Sequence, residues 1–376
     1  MHIYKPASLL IGLFLLLSGC ADQNQQVTET FTQRFEALRP QYAPDLSLNL
    51  LSAELKKEDG GWVLKGETTV PDAAQRVQTL ADSLLGEGQY RNEFTPLPDP
   101  ALGDSCYGLV RTSVIPLRGE PRHSAEQVDQ NIMGRVLTLH KRNDRGWYLV
   151  QTDYGYLGWV IGGTFVRTDR AGVDAWEKAS RVRVTALAPM IRTHPDDQSE
   201  PVCDVVLNAL LKLEGKRGEW LEVSTPDGRS GFLKAADAVG ADAYAVPPQA
   251  EALIATARSM MGIPYLWGGN SSKASDCSGF TQTVFKAHGI DILRDARQQA
   301  RAGEAVVPDE NFSNIRPGDL FFFGSGGRIT HVGMSLGGAR FIHQSGDVRI
   351  NSLDPAAADF SPYRKRTFMQ VQRVVQ

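Results

Sequence analysis

The chain has 376 residues, too many for one hydrophobic core, so several modules are expected. Its 42% hydrophobic and 22% charged residues, with 8% aromatics, exclude wholesale disorder. A formal charge of −3 and the lack of any dense Lys/Arg run exclude the electrostatic footprint of a nucleic-acid binder, so no nucleic-acid partner is expected.

The opening "MHIYKPASLLIGLFLLLSGC" joins a weakly basic start at Lys5 to an apolar run from Leu9 to Leu17, too short to span a bilayer. It reads as an export signal over residues 1–19. Its end, Leu17-Ser18-Gly19-Cys20, resembles the lipobox of bacterial lipoproteins. That resemblance implies acylation of Cys20, a membrane attachment through this lipid, and, with Ala21 next, the outer membrane facing the periplasm. The polar stretch that follows, "ADQNQQVTETFTQR", reads as part of a tether over 20–44. Next come two predicted strands, "LSLNLLSAEL" and "WVLKGETTV", and a helix with Pro71 and Asp72 at its start, together a small α+β unit over 45–95. "TPLPDPALGD" reads as a linker. Cys106 and Cys203 read as two separate buried thiols, with a disulfide formed after export as the alternative.

The middle of the chain repeats itself. Arg118, Pro121 and Glu126 recur as Arg192, Pro195 and Glu200, and Trp147, Gly155, Gly158 and Trp159 as Trp220, Gly228, Gly231 and Phe232. Short alternating runs between Asp/Gly turns predict a small antiparallel β barrel in each copy. The pattern resembles bacterial SH3-like domains, over 105–172 and 178–243. Beyond "AVPPQ", the segment "AEALIATARSMMG" predicts a helix and opens a third module over 248–376.

That module carries the chemistry. "CSGFTQTVFKAHG" has helical spacing at Phe280, Val284, Phe285 and Ala287, which puts Cys277 in the first turn. Unsatisfied backbone N–H groups there favour a thiolate, so a lowered pKa is expected for Cys277. A nucleophilic thiolate needs an imidazole partner. His2 is lost with the signal, His123, His140 and His194 fall in the barrels, and His288 ends the nucleophile's own helix. His331 and His343 remain, in two strands around Gly337-Gly338 that read as a hairpin. A strict two-residue Gly-Gly turn would put the two rings on opposite faces. A three-residue loop over 337–339 pairs 333 with 343 and puts both on one face.

In this order "PYLWGG", "DCSGF", "RPGDLFFF", "HVGMSLGG" and "FIH" resemble the NlpC family of papain-like bacterial cell-wall cysteine peptidases. The resemblance implies Cys277 as nucleophile, His331 as base, His343 as the residue that orients His331, and Tyr265 beside the scissile carbonyl. It also implies cleavage of γ-D-glutamyl to diamino-acid bonds in murein stem peptides or muropeptide fragments with a free N-terminal L-alanine. Asp276 and Ser278 would bind that amine, and Glu126 and Tyr156 of the first barrel would close its end of the cleft. Asp295 matches a site position, although Ala296 stands where the family often has serine. No metal or other cofactor is expected, because no Cys/His cluster has ligand spacing. The fold expected is multidomain α+β, with a papain-like C-terminal domain preceded by two SH3-like barrels and a small N-terminal unit. A wall-binding adaptor, or an amidase or acyltransferase on the same fold, are the alternatives.

Overall fold

The computed structural model describes residues 11–375, with side chains from residue 23 on. The first ten residues, and the side chains of the rest of the expected export signal and of Cys20, lie outside the described residues. Val27, Phe31, Phe35 and Leu38 recur at helical spacing and draw the polar segment into a helix, α1 (Ile11–Tyr42). Phe31 and Phe35 are buried in the first core, which corrects the expected tether over 20–44. That core is completed by β1 (Leu51–Glu58), β2 (Gly61–Thr68), α2 (Pro71–Leu85) and β3 (Tyr90–Pro96). β1 and β2 pair antiparallel, whereas β3 lies parallel to β2, with α2 as the crossover that parallel pairing requires. Strand β3 takes up the start of the expected linker. These elements fall within one compact unit, Met1–Gly103, and everything below belongs to the other, Asp104–Gln376.

The first repeat holds β4 (Tyr107–Val110), β5 (Val114–Arg118), β6 (Gln127–Ile132), β7 (Val136–Arg142), β8 (Trp147–Thr152), β9 (Leu157–Ile161) and β10 (Phe165–Thr168). After a helix, α3 (Arg170–Lys178), the second holds β11 (Arg181–Val184), β12 (Met190–Arg192), β13 (Pro201–Asp204), β14 (Leu210–Arg217), β15 (Trp220–Ser224), β16 (Ser230–Lys234) and β17 (Ala238–Gly240). The strand orders are β10-β4-β7-β8-β9-β5-β6 and β17-β11-β14-β15-β16-β12-β13, the same topology twice.

The repeated residues are the ones this topology needs. Arg118 donates to the carbonyl of Ala125 at 3.0 Å and Arg192 to that of Ser199 at 2.6 Å, so each arginine ties down the loop seven residues ahead. Gly155 and Gly228 turn the chain at φ of 89° and 82°. Gly158 and Gly231 lie where a Cβ would come within 2.8 Å of Leu117 and 2.6 Å of Ile191. Cys106 and Cys203 are free thiols and only half-buried, so neither is the fully buried residue expected.

The third module holds α4 (Ala250–Ser259), α5 (Cys277–Ala287), α6 (Ala296–Gln299), β18 (Glu304–Val306), β19 (Pro317–Ser325), β20 (Arg328–Gly337), β21 (Arg340–Ser345), β22 (Asp347–Ser352), α7 (Pro362–Thr367) and β23 (Phe368–Arg373). Its sheet runs β18-β23-β19-β20-β21-β22, all antiparallel. Helix α5 lays Phe280, Val284 and Phe285 into the core with Phe322, Val332 and Ile342. Its polar residues are buried as well. Thr281 bonds Gln299, Gln282 bonds the carbonyl of Ile292, and the Thr283 carbonyl accepts from Asn208 of the second barrel. Barrels and sheet thus enclose the nucleophile's helix, which is why its sequence mixes apolar and polar residues without an exposed stripe.

Replacing Gly158 by alanine is expected to cost about 1–3 kcal/mol through overpacking against Leu117. A urea unfolding curve checks this, and an unchanged midpoint would contradict it.

Candidate active site

Cys277 is the first residue of α5, and the Asp276 side chain before it caps the helix by accepting from the Gly279 N–H at 2.8 Å. The backbone N–H groups of Val332 and Ser278 face the sulfur. Even so, burial pushes the Cys277 thiol up to about 11, and the negative charge of Asp276 adds to it. The expected lowering by the helix N-terminus is therefore not met. Only 8% of Cys277 is exposed, and desolvation outweighs the two N–H donors.

The hairpin solves the register problem differently from the expected loop. Met334 pairs with Ile342 and Ser335 with Phe341, which carries 333 opposite 343 as required. The register then shifts by a bulge at Leu336, and Gly337 pairs with Arg340 around a two-residue turn. One inserted residue does the work of an odd loop. Gly333 leaves room for the imidazole, since a Cβ there would stand 2.9 Å from that of His343.

The result is a chain of hydrogen bonds with one direction. His331 Nε2 lies 2.7 Å from His343 Nδ1, and His343 Nε2 lies 2.9 Å from Asn351 Oδ1. Asn351 donates its Nδ2 to the carbonyl of Asp359 at 3.1 Å, so its oxygen must face His343. His343 therefore carries its proton on Nε2 and accepts at Nδ1, and His331 carries its own on Nε2. Its Nδ1 is left bare to take a proton. Burial pushes His331 well below the ordinary histidine range and His343 down to about 4. Burial thus favours the uncharged thiol and the uncharged imidazole. Asn351, which completes this chain, was not singled out from the sequence; no spacing rule marks an asparagine eight residues past a histidine.

Beside the sulfur lies a cavity of about 410 Å³ lined by Cys277, Tyr265, Asp276, Ser278, Asp295, Ala296 and, from the first barrel, Glu126 and Tyr156. Seven of the nine residues singled out for this chemistry line the cavity, and His331 and His343 lie on β20 and β21, where the backbone N–H of Val332, next to His331, faces the sulfur. The Tyr156 hydroxyl donates to Asp295 Oδ1 at 3.2 Å, and Trp267 Nε1 donates to Glu126 Oε1 at 2.7 Å. Burial, with the Cys277 and Asp276 charges, pushes the Tyr265 phenol up, so it stays protonated as a donor.

Two residues missed in the sequence hold the cavity together. Arg294, 1% exposed, donates to Asp129 Oδ1 of β6 at 2.5 Å, to Asp276 Oδ2 at 2.6 Å and to Ser278 Oγ at 2.9 Å. Burial opposes its charge, but Asp276 and Asp129 together hold the guanidinium well above its usual range. The cavity shows three carboxylates, Glu126, Asp276 and Asp295, against two guanidiniums, Arg294 and Arg297, and Asp129 adds a fourth carboxylate directly behind. Its charge is negative.

Comparison with known proteins fits this geometry. The sequence profile of the NlpC/P60 family matches residues 262–372, and that of the bacterial SH3 domain matches 113–166. The C-terminal domain belongs to the NlpC/P60 family. A crystal structure of an NlpC/P60 family protein from Bacillus cereus superposes with a TM-score of 0.62 at 24% identity, covering 72% of this chain and 100% of that one, and shares the fold. The chain is 35% identical over 191 residues to the γ-D-glutamyl-L-lysine dipeptidyl-peptidase of Bacillus subtilis, which is 47% of this chain and 62% of that protein. It is 27% identical over 257 residues to dipeptidyl-peptidase 6 of Lysinibacillus sphaericus, 65% of this chain and 91% of that one. The chain thus spans less than two thirds of the length of the Bacillus subtilis relative.

Because burial pushes the Cys277 thiol up to about 11, its alkylation by iodoacetamide without substrate is expected to climb with pH beyond 9. A plateau between pH 5 and 8, as a preformed ion pair gives, would contradict the resting state described. Asn351→Leu is expected to mix the tautomers of His343, read from imidazole ¹⁵N shifts, whereas an unchanged Nε2–H population would contradict the role of Asn351.

Proposed function

We propose that the protein is a cysteine endopeptidase that cuts γ-D-glutamyl to diamino-acid bonds in murein stem peptides whose N-terminal L-alanine is free. The observation that carries this reading is the negative cavity beside Cys277. Its volume lies within the roughly 300–1,000 Å³ of sites for small ligands, and its acids suit an ammonium group. Asp276 and Ser278 on one side and Glu126 and Tyr156 on the other are the residues for that amine. The first barrel closes this end of the cleft and so limits it to a short peptide. The names of the Bacillus and Lysinibacillus relatives agree with a dipeptide-releasing activity.

In the proposed cycle the Cys277 proton passes to the bare Nδ1 of His331 as the sulfur attacks the γ-carbonyl carbon. Tyr265 and the N–H groups at the start of α5 stabilise the oxyanion. His343, held by Asn351, bears part of the charge that develops on His331. The imidazolium then gives its proton to the leaving amine, and water attacks the thioester with His331 as base. The lipobox at Cys20 supports an envelope location through a lipid anchor, with the outer membrane as its site.

Kinetics on L-Ala-γ-D-Glu-L-Lys tests the assignment. Cys277→Ala is expected to abolish cleavage, and hydrolysis that persists would exclude the proposed cycle. Acetylating the alanine nitrogen is expected to lower kcat/KM by about 100-fold, the effect of losing a charge-assisted hydrogen bond to Asp276 or Glu126. Equal rates on free and acetylated peptides would remove the free-amine specificity and leave the peptidase assignment intact.

A further inference from the structure

One cation near the catalytic residues lacks an anion. Arg364, on α7, donates from Nη2 to Ser345 Oγ at 3.1 Å, and its guanidinium carbon lies 5.5 Å from the centre of the Phe323 ring and 5.2 Å from that of Tyr363. Phe323 in turn lies 5.7 Å from the His331 ring. Ser345 is two residues past His343 on β21 and therefore points to the same face. The arginine is thus fixed between aromatic rings on the histidine side of Cys277. The acid-lined cavity does not include Arg364 among its lining residues.

Its neighbours are paired: Arg349 with Asp347, Arg340 with Asp359, and Arg373 with Asp319. Among the described residues Arg364 has no ion-pair partner. Lys365 and Arg366 are unpaired too, but they are exposed, and water serves them. Arg364 is half-buried, and burial works against its charge with only Tyr363 and Cys277 to favour it. A desolvated guanidinium with most of its N–H fork unused is a receptor for a carboxylate.

The direction of the reaction says which carboxylate. His331 must protonate the leaving nitrogen, so that nitrogen lies toward His331, and the substituents of its carbon lie beyond it, toward Ser345 and Arg364. We propose that Arg364 binds a carboxylate of the diamino acid on the leaving side of the scissile bond, which rests on the peptidase reading above. This carboxylate is either the terminal α-carboxylate of a tripeptide or a side-chain carboxylate such as that of diaminopimelate.

Three peptides separate the possibilities in steady-state kinetics on the full chain: L-Ala-γ-D-Glu-L-Lys, its C-terminal amide, and the α-amide of L-Ala-γ-D-Glu-diaminopimelate. The wild type is expected to prefer at least one carboxylate-bearing peptide over the lysine amide by about 10- to 100-fold in kcat/KM. Which of the two is preferred names the source of the carboxylate. Arg364→Met is expected to bring that ratio to about one, and Arg364→Lys to restore part of it. A wild-type ratio near one, or a ratio that survives in Arg364→Met, would overturn the proposal even if all three peptides are cleaved. If none of the three is cleaved, the peptidase reading falls and the proposal falls with it.

Discussion

A single buried guanidinium holds the catalytic end of the molecule together. Arg294 lies between Asp129, on a strand of the first barrel, and Asp276, the cap of the nucleophile's helix. Breaking a buried pair by removing one partner costs about 3–5 kcal/mol, because it leaves a charge without water or counter-ion. Barrel and peptidase domain are therefore not independent beads. The same contact that docks the barrel also orients the cap, the first turn of α5 and the sulfur on it. Tyr154 and Asn270 bond to Asp129 and extend the network, so the orientation is overdetermined.

From that constraint follows the chemistry of the cleft. The barrel brings Glu126 and Tyr156 to the cavity that Asp276 and Ser278 also line, and its carboxylates outnumber its guanidiniums. Burial favours the uncharged forms of the thiol and of the two imidazoles. In the proposed cycle charge separates during the reaction, and the hydrogen-bonded His331–His343–Asn351 chain is the preorganised element that would receive it. The bulge at Leu336 matters for the same reason. It is the one-residue adjustment that lets two histidines twelve positions apart share a sheet face.

The sequence made the repeat and the helix beginning at Cys277 legible because each rests on local rules: turn glycines at fixed offsets and a helix start at Asp276. The need for an odd register between His331 and His343 was legible too, though not the bulge that supplies it. What stayed hidden depends on tertiary contact. The part of α1 after Cys20 reads as polar because apolar residues are sparse there, and β3 is a polar edge strand with one buried phenylalanine, Phe94. Arg294 looks like any charged residue ahead of a helix until Asp129, 165 positions away, is found against it. The thiol's pKa was misjudged for a related reason. A helix N-terminus can be read from sequence, whereas the depth at which it is buried cannot.

In the proposed function one cavity, walled by the first barrel and by the start of α5, receives the substrate's amino group beside Cys277. A crystal structure of the Cys277→Ala chain with an uncleaved free-amine stem peptide tests it most directly. The account predicts the ammonium nitrogen within about 3 Å of carboxylate oxygens from Asp276 or Glu126, with the γ-carbonyl against residue 277. An amino group pointing into solvent, or a peptide seated with that end toward His331, would contradict it.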